Sequence, residues 1–204
     1  MKTGWRLLVV VVLILNMGVS ANATDDNSSV LETRAPENPA VNTVNLKTNI
    51  LPWLATVANL GVEFTFSRKI SANLDVWFCP WKISERRSIK TVQILPEVRY
   101  WLKDFTKGSF FNIHLTCGWY NIRWGENRYQ DADTPMIGGG IGYGYKLPLN
   151  RKWSFEFTIG AGYFHTKCDK FYNRPNGALI DTRNTSYFGI DRLGVTVVYN
   201  LGDL

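Results

Sequence analysis

The side chains that could do chemistry in this chain are few. It has two histidines, His114 and His165, three cysteines, and glycines at 138, 140, 142 and 144. His165 shares a stretch with Asp169 and Ser186. An imidazole, an acid and a hydroxyl are the parts of an activated nucleophile, so lipid-modifying or proteolytic chemistry is one reading of that stretch. A long segment separates Asp169 from Ser186, however, and no motif fixes their geometry. His114 falls at an alternate polar position within reach of Glu97 or Glu156 and reads as a member of a polar network. The glycine run resembles a phosphate loop only superficially, since no helix follows and the alternation of residue types continues through it. No Cys/His spacing suggests zinc. Three cysteines, Cys79, Cys117 and Cys168, cannot all pair within one exported chain; Cys79 and Cys168 fall near strand ends on the same side and could pair. The sequence therefore assigns no catalytic, cofactor-binding or metal-binding residue, and no enzyme is expected.

What could position any of these groups is a set of strands. The plainest is a hairpin, Ile137–Lys146 and Trp153–Tyr163, joined by a turn at 147–152. Ile137, Ile141, Tyr143 and Tyr145 share one face of its first arm, and the glycines with Lys146 share the other. Trp153, Phe155, Phe157, Ile159 and Tyr163 do the same opposite Ser154, Glu156 and Thr158. Period-two alternation over ten residues predicts a strand with one apolar face. Eight such segments follow one another: Val44–Ile50, Leu60–Ser67, a third from Ile70 that Pro80 ends, Lys90–Leu102, Phe110–Trp124, the two arms of the hairpin, and Tyr187–Leu201. Loops are expected at Trp81–Ser88, Gly125–Thr134 and Lys167–Ser186. Pro96, inside the fourth strand, predicts a bulge, and Asp191 interrupts the last alternation and predicts a shift of phase.

Before the strands come two segments of other kinds. Lys2 and Arg6 precede an apolar run, Leu7–Leu15, and then Ala21-Asn22-Ala23. That is the pattern of a cleavable signal peptide over 1–23, with an apolar core too short to span a bilayer. Residues 24–43 are polar, carry two prolines and lack periodicity, and read as a flexible periplasmic linker. Removal of Lys2 and Arg6 takes the formal net charge from +6 to +4. This mild and scattered excess does not argue for nucleic acid.

A membrane barrel and a soluble sandwich both fit alternating strands, and three regularities favour the barrel for residues 44–204. The connections alternate short and long, as in outer-membrane barrels. Aromatic residues gather at strand ends, such as Tyr100, Tyr145 and Trp153 at one end and Phe78, Trp119 and Tyr163 at the other, where interfacial girdles lie. Finally, the face away from the aromatics carries Lys47, Glu63, Asp75, Glu97, Arg99, Lys146, Glu156 and Arg192, four of each sign. Inside an eight-stranded barrel, whose interior side chains just fill, such charges must pair. The expected fold is therefore all-β, an eight-stranded antiparallel up-and-down transmembrane β-barrel. Arg86, Arg87, Lys170, Arg174 and Arg183, with Lys82 and Lys167, belong to its long loops. There they could meet lipopolysaccharide or a surface or periplasmic envelope protein.

The runs LPEVRYW (95–101), WGENRYQ (124–130) and GGGIGYGYKLPLNRKWSFEFTIGAGY (138–163) resemble a domain-of-unknown-function family of small outer-membrane proteins from Bacteroides-type bacteria. The resemblance implies an OmpA/OmpX-like barrel, with some relatives accompanying surface or fimbrial gene sets, and it supplies no site residues. The expected role is a non-enzymatic one, structural or in surface interaction, in the outer membrane. A narrow pore is the alternative, and a lipid-modifying or proteolytic barrel ranks below it.

Overall fold

A computed structural model describes residues 42–131 and 133–203. Along them run nine strands: β1 (Thr43–Asn49), β2 (Ala58–Thr65), β3 (Ile70–Ser84), β4 (Arg87–Trp101), β5 (Gly108–Trp124), β6 (Asn127–Asp131), β7 (Met136–Pro148), β8 (Trp153–Tyr172) and β9 (Leu179–Asp203). A single helical turn, α1 (Ile50–Leu54), separates the first two, capped at its start by the Asn49 side chain. No helix among the described residues is long and apolar enough to cross a membrane. The expected signal peptide and most of the expected linker lie outside the described residues. Thr43, placed in that linker, instead opens β1 and pairs with Asp203.

Every pairing is antiparallel, and β9 returns to pair with β1. The order β1-β2-β3-β4-β5-β7-β8-β9 thus closes into a ring of eight strands. β6 is an addition to the ring: it continues the tip of β5 and pairs with both β5 and β8. The register is staggered. From Asn200 on β9, the paired positions Asn45, Glu63, Asn73, Glu97, His114, Gly140 and Gly162 lead back to β9 at Gly189. The displacement from 200 to 189 is eleven residues, one of which is a bulge at Asp191. A closed ring with a stagger of this size has strands tilted by roughly 35–45°. We call the end that holds Thr43 and Asp203 the near end, and the opposite one the far end.

The alternation read from the sequence sorts the side chains as expected, with the usual polarity of a protein reversed. Ile113, Leu115, Ile141, Phe157 and Ile159 face outward and are exposed, Ile141 by 68%, whereas Lys47 is 2% and Glu156 0% exposed inside the ring. The expected phase shift on the last strand is the bulge: Gly160 faces Arg192, Ala161 faces Ile190, and Asp191 is the extra residue. A bulge sets two successive side chains on one face, and both Asp191 and Arg192 turn inward.

Other expectations are corrected. The register runs unbroken past Pro96, which faces outward opposite Leu74, so there is no bulge there. Pro80 does not end the third strand. It falls where β3 has already passed the end of β2 and become an edge, a setting in a sheet that tolerates proline, and β3 runs on to Ser84. None of the three long loops is a loop over most of its length. Residues 81–88 belong mainly to β3 and β4, residues 127–131 to β6, and Lys167–Ser186 is a long hairpin that turns at 173–178. Strand pairing outlasts the apolar pattern that revealed it, because beyond a certain height the outer face becomes polar.

Candidate functional site

The interior is built in layers from side chains that point inward on every second residue. At the near end Trp101, Phe105 and Phe110 form a buried aromatic plug, with the Trp101 and Phe110 rings 4.5 Å apart. Trp101 Nε1 donates to Ser71 Oγ at 2.9 Å, and Ser71 Oγ donates in turn to Glu63 at 2.7 Å. The plug thereby hands over to a layer of charge.

Lys47 Nζ lies 2.7 Å from both Glu63 and Glu156. Arg99 Nη1 reaches Glu156 at 2.7 Å and Glu63 at 3.3 Å, and Arg99 Nε donates to Glu97. Lys146 stands 3.7 Å from Glu156 and over the Trp101 ring, while Arg192 closes the chain on Glu97. Asp75 takes a hydrogen bond from Asn73 at 2.8 Å. Seven of the eight expected charges thus meet in one network contributed by six strands. Ions taken out of water need this mutual compensation, since an isolated one would cost several kcal/mol.

His114 does not join Glu97 or Glu156 as expected. Its Nε2 lies 2.7 Å from Asp191 Oδ2, and its Nδ1 lies 3.0 Å from Asn112 Oδ1. Asp191 is an inward acid absent from the expected set; its only trace in the sequence is the broken alternation. The glycines make room for this pair. A Cβ at Gly140 would stand 2.4 Å from Ala161 O and 2.8 Å from His114 Nε2, and one at Gly162 would stand 2.1 Å from Asp191 Oδ2. Above this level Tyr120 Oη and Thr166 Oγ1 meet at 3.1 Å, both buried.

The far end is a rim of polar strand extensions. His165 and Ser186 do come together, as cross-strand partners with Nδ1 to Oγ at 3.1 Å, and Tyr163 Oη donates to the same hydroxyl at 2.9 Å. Asp169, the expected acid, instead accepts from Thr182, so the three do not form a relay. The basic residues expected in loops are spread over the extensions. Arg87, Lys170 and Arg183 lie in strands, and Arg86 and Arg174 in turns. Arg87 stacks on Trp124, Arg174 on Tyr172, and Arg183 pairs with Asp181. A hydrogen bond from Lys82 holds the exposed Glu85 carboxyl below its ordinary range. All three thiols are free, and Cys79 turns to Ile89 O rather than to Cys168. Burial pushes the Cys168 thiol up, a shift the Tyr120 hydroxyl partly offsets. Among the described residues no three His, Cys, Asp or Glu side chains gather so as to hold a metal ion.

Fold and site together define an all-β, up-and-down antiparallel ring of eight strands around a packed interior of paired charge. The chain belongs to the family described as "Protein of unknown function (DUF3575)", whose model matches residues 10–201. No curated protein and no solved structure matches it.

Proposed function

We propose that the chain is a non-enzymatic outer-membrane β-barrel of the cell envelope. In this reading it is exported by a cleavable signal peptide and resembles the OmpA/OmpX-like barrels of Bacteroides-type bacteria. Its wall sits in lipid, and its far-end extensions form an extracellular surface for a structural or interaction role. Lipopolysaccharide and a surface or periplasmic envelope protein are its partners.

The inversion of polarity carries this proposal. Exposing Phe64, Leu74, Ile113, Ile141 and Phe157 around a ring while burying Lys47, Arg99, Glu63 and Glu156 is strongly unfavourable in water and favourable in hydrocarbon. The rest of the outer surface agrees. Phe111, Tyr145 and Trp153 edge the apolar band at the near end, and Phe78, Trp119 and Tyr163 edge it at the far end. Such girdles bound an apolar band about 25 Å tall in barrels of this kind. Beyond Tyr163 the outward residues turn to His165 and Lys167. The test is fractionation of the producing cells. The protein is expected in the outer-membrane fraction, resistant to carbonate extraction, and faster on a denaturing gel before boiling than after. Recovery in the soluble periplasm after osmotic shock would overturn the proposal.

A further inference from the structure

The wall of the ring is complete at the near end and incomplete at the far end. β9 pairs with β8 along nearly its whole length, but with β1 only from Thr196 to Asp203. β3 pairs with β4 up to Ser84, but with β2 only as far as Phe78. Between these two edges stand β1 and β2, of seven and eight residues, shorter than the 9–11 or so that a membrane-crossing strand requires. They stop at α1, and above it nothing among the described residues fills the two strand positions. The notch is about 14 Å wide, three strand spacings of about 4.8 Å.

The floor of the notch shows how an edge is satisfied where a neighbour ends. Asn49 Oδ1 accepts from Val195 N at 3.2 Å, and Asn49 Nδ2 donates to Leu193 O at 3.3 Å, one side chain standing in for a missing strand. Leu193 and Val195 therefore turn their main-chain groups toward β1. The extra residue at Asp191 shifts the alternation, so that Ile190 and then every second residue up to 182 turn theirs toward the notch. Ile190 O takes a hydrogen bond from Tyr187 Oη at 3.2 Å. The outward side chains of this edge are Thr182, Asn184, Ser186, Phe188 and Ile190, all exposed, Phe188 by 79%; Leu54 on α1 and Ile83 on β3, across the notch, are more than half exposed.

We propose that the notch is a docking slot for an extended strand of another protein, presented from the far side, which adds antiparallel to the β9 edge over residues 182–190. An unpaired edge is a template for strand addition, with main-chain hydrogen bonds giving affinity and alternate side chains giving selectivity. Phe188 and Ile190 call for apolar residues at alternate positions of the incoming strand, and the slot holds a second strand against β3. A second copy of this chain does not fit. Two copies inserted the same way are related by an axis along the membrane normal. Strands tilted by roughly 35–45° on their facing walls would then cross at about 70–90° and could not pair.

The argument against a second copy rests on the membrane reading; the edge itself does not. Failure of the membrane reading shows in fractionation, whereas the edge is read by hydrogen exchange. The full chain in lipid nanodiscs is exchanged alone, then with peptides selected on it from a displayed library of random twelve-residue sequences. Expected are fast exchange at 182–190 in the chain alone, and recovered peptides that alternate apolar and polar residues and slow that exchange. Asn184→Pro, which removes an edge N–H without touching the β8 ladder, should weaken their binding at least tenfold. If that variant loses its heat-shifted gel band, Thr182→Pro gives the same readout. Slow exchange in the chain alone would mean that the edge is already covered, by this chain or a second copy. That result, recovery of no such peptide, or binding indifferent to the proline would each overturn the proposal.

Discussion

Glu156 is the interior carboxylate on which three cations converge. It faces Lys47 and Arg99 at 2.7 Å and Lys146 at 3.7 Å, from a position with no exposure at all. Removing one partner of a buried ion pair leaves the others uncompensated, which costs about 3–5 kcal/mol. Glu156→Gln keeps the shape and removes the charge from a site where three cations converge. Its urea midpoint, followed by the heat-shifted gel band, should fall by the equivalent of that energy. Glu85→Gln is the matched control: it also breaks a 2.7 Å pair, with Lys82, but both partners are largely exposed, where such pairs contribute little. Equal midpoints for the two variants would show that burial does not set the strength of the network. His114 and Asp191 extend the same logic. Gly140 and Gly162 are glycine because any Cβ there would collide with neighbouring backbone or with this pair.

At the scale of elements, the strands fall into a wall and its extensions. Residues 167–184 pair with each other and with β6, while the ladder from Trp153 to His165 against Ser186 to Tyr199 lies below them. Replacing 167–184 by a short turn should leave a folded, heat-modifiable ring and abolish any partner binding that depends on the extensions. Loss of the heat shift would show that the extensions are needed for the wall itself. The same division explains what could be read in advance. Where the outer face is apolar and the inner one a packed polar interior, alternation is strict, and Ile141, Phe157 and Glu156 declare their sides from sequence alone. Beyond Tyr163 both faces admit polar residues, so the pairing of Lys167 with Asn184 leaves no periodic trace. The notch was hidden for another reason: Val44–Ile50 and Leu60–Ser67 already read as short strands, and only the pairing shows that β3 and β9 run on past them, to Ser84 and from Leu179. The charge network was legible because parity alone fixes which side Lys47 or Arg99 takes. The Asp191 contact was not, because a bulge resets parity.

For the molecule as a whole, the decisive quantity is the space left along its axis. A ring of eight strands has an interior just wide enough for side chains to fill, and here they fill it in succession from the near end. The aromatic plug of Trp101, Phe105 and Phe110 comes first. Above it, Arg99 lies over the Phe110 ring at 4.6 Å and ties Glu63, Glu97 and Glu156 together. His114 with Asp191 follows, and then Tyr120 with Thr166. A conducting path would have to part charges that are mutually neutralised and almost fully buried, at several kcal/mol for each ion exposed without its partner. It would also have to displace aromatic rings packed against one another. Purified protein reconstituted into planar bilayers should therefore give no current above the bare membrane at moderate voltage. The measurement means most when the same preparation shows the heat-shifted band, because an unfolded sample would be silent too. Stable unitary current steps from that folded sample would show that the layers open, and would make the chain a pore.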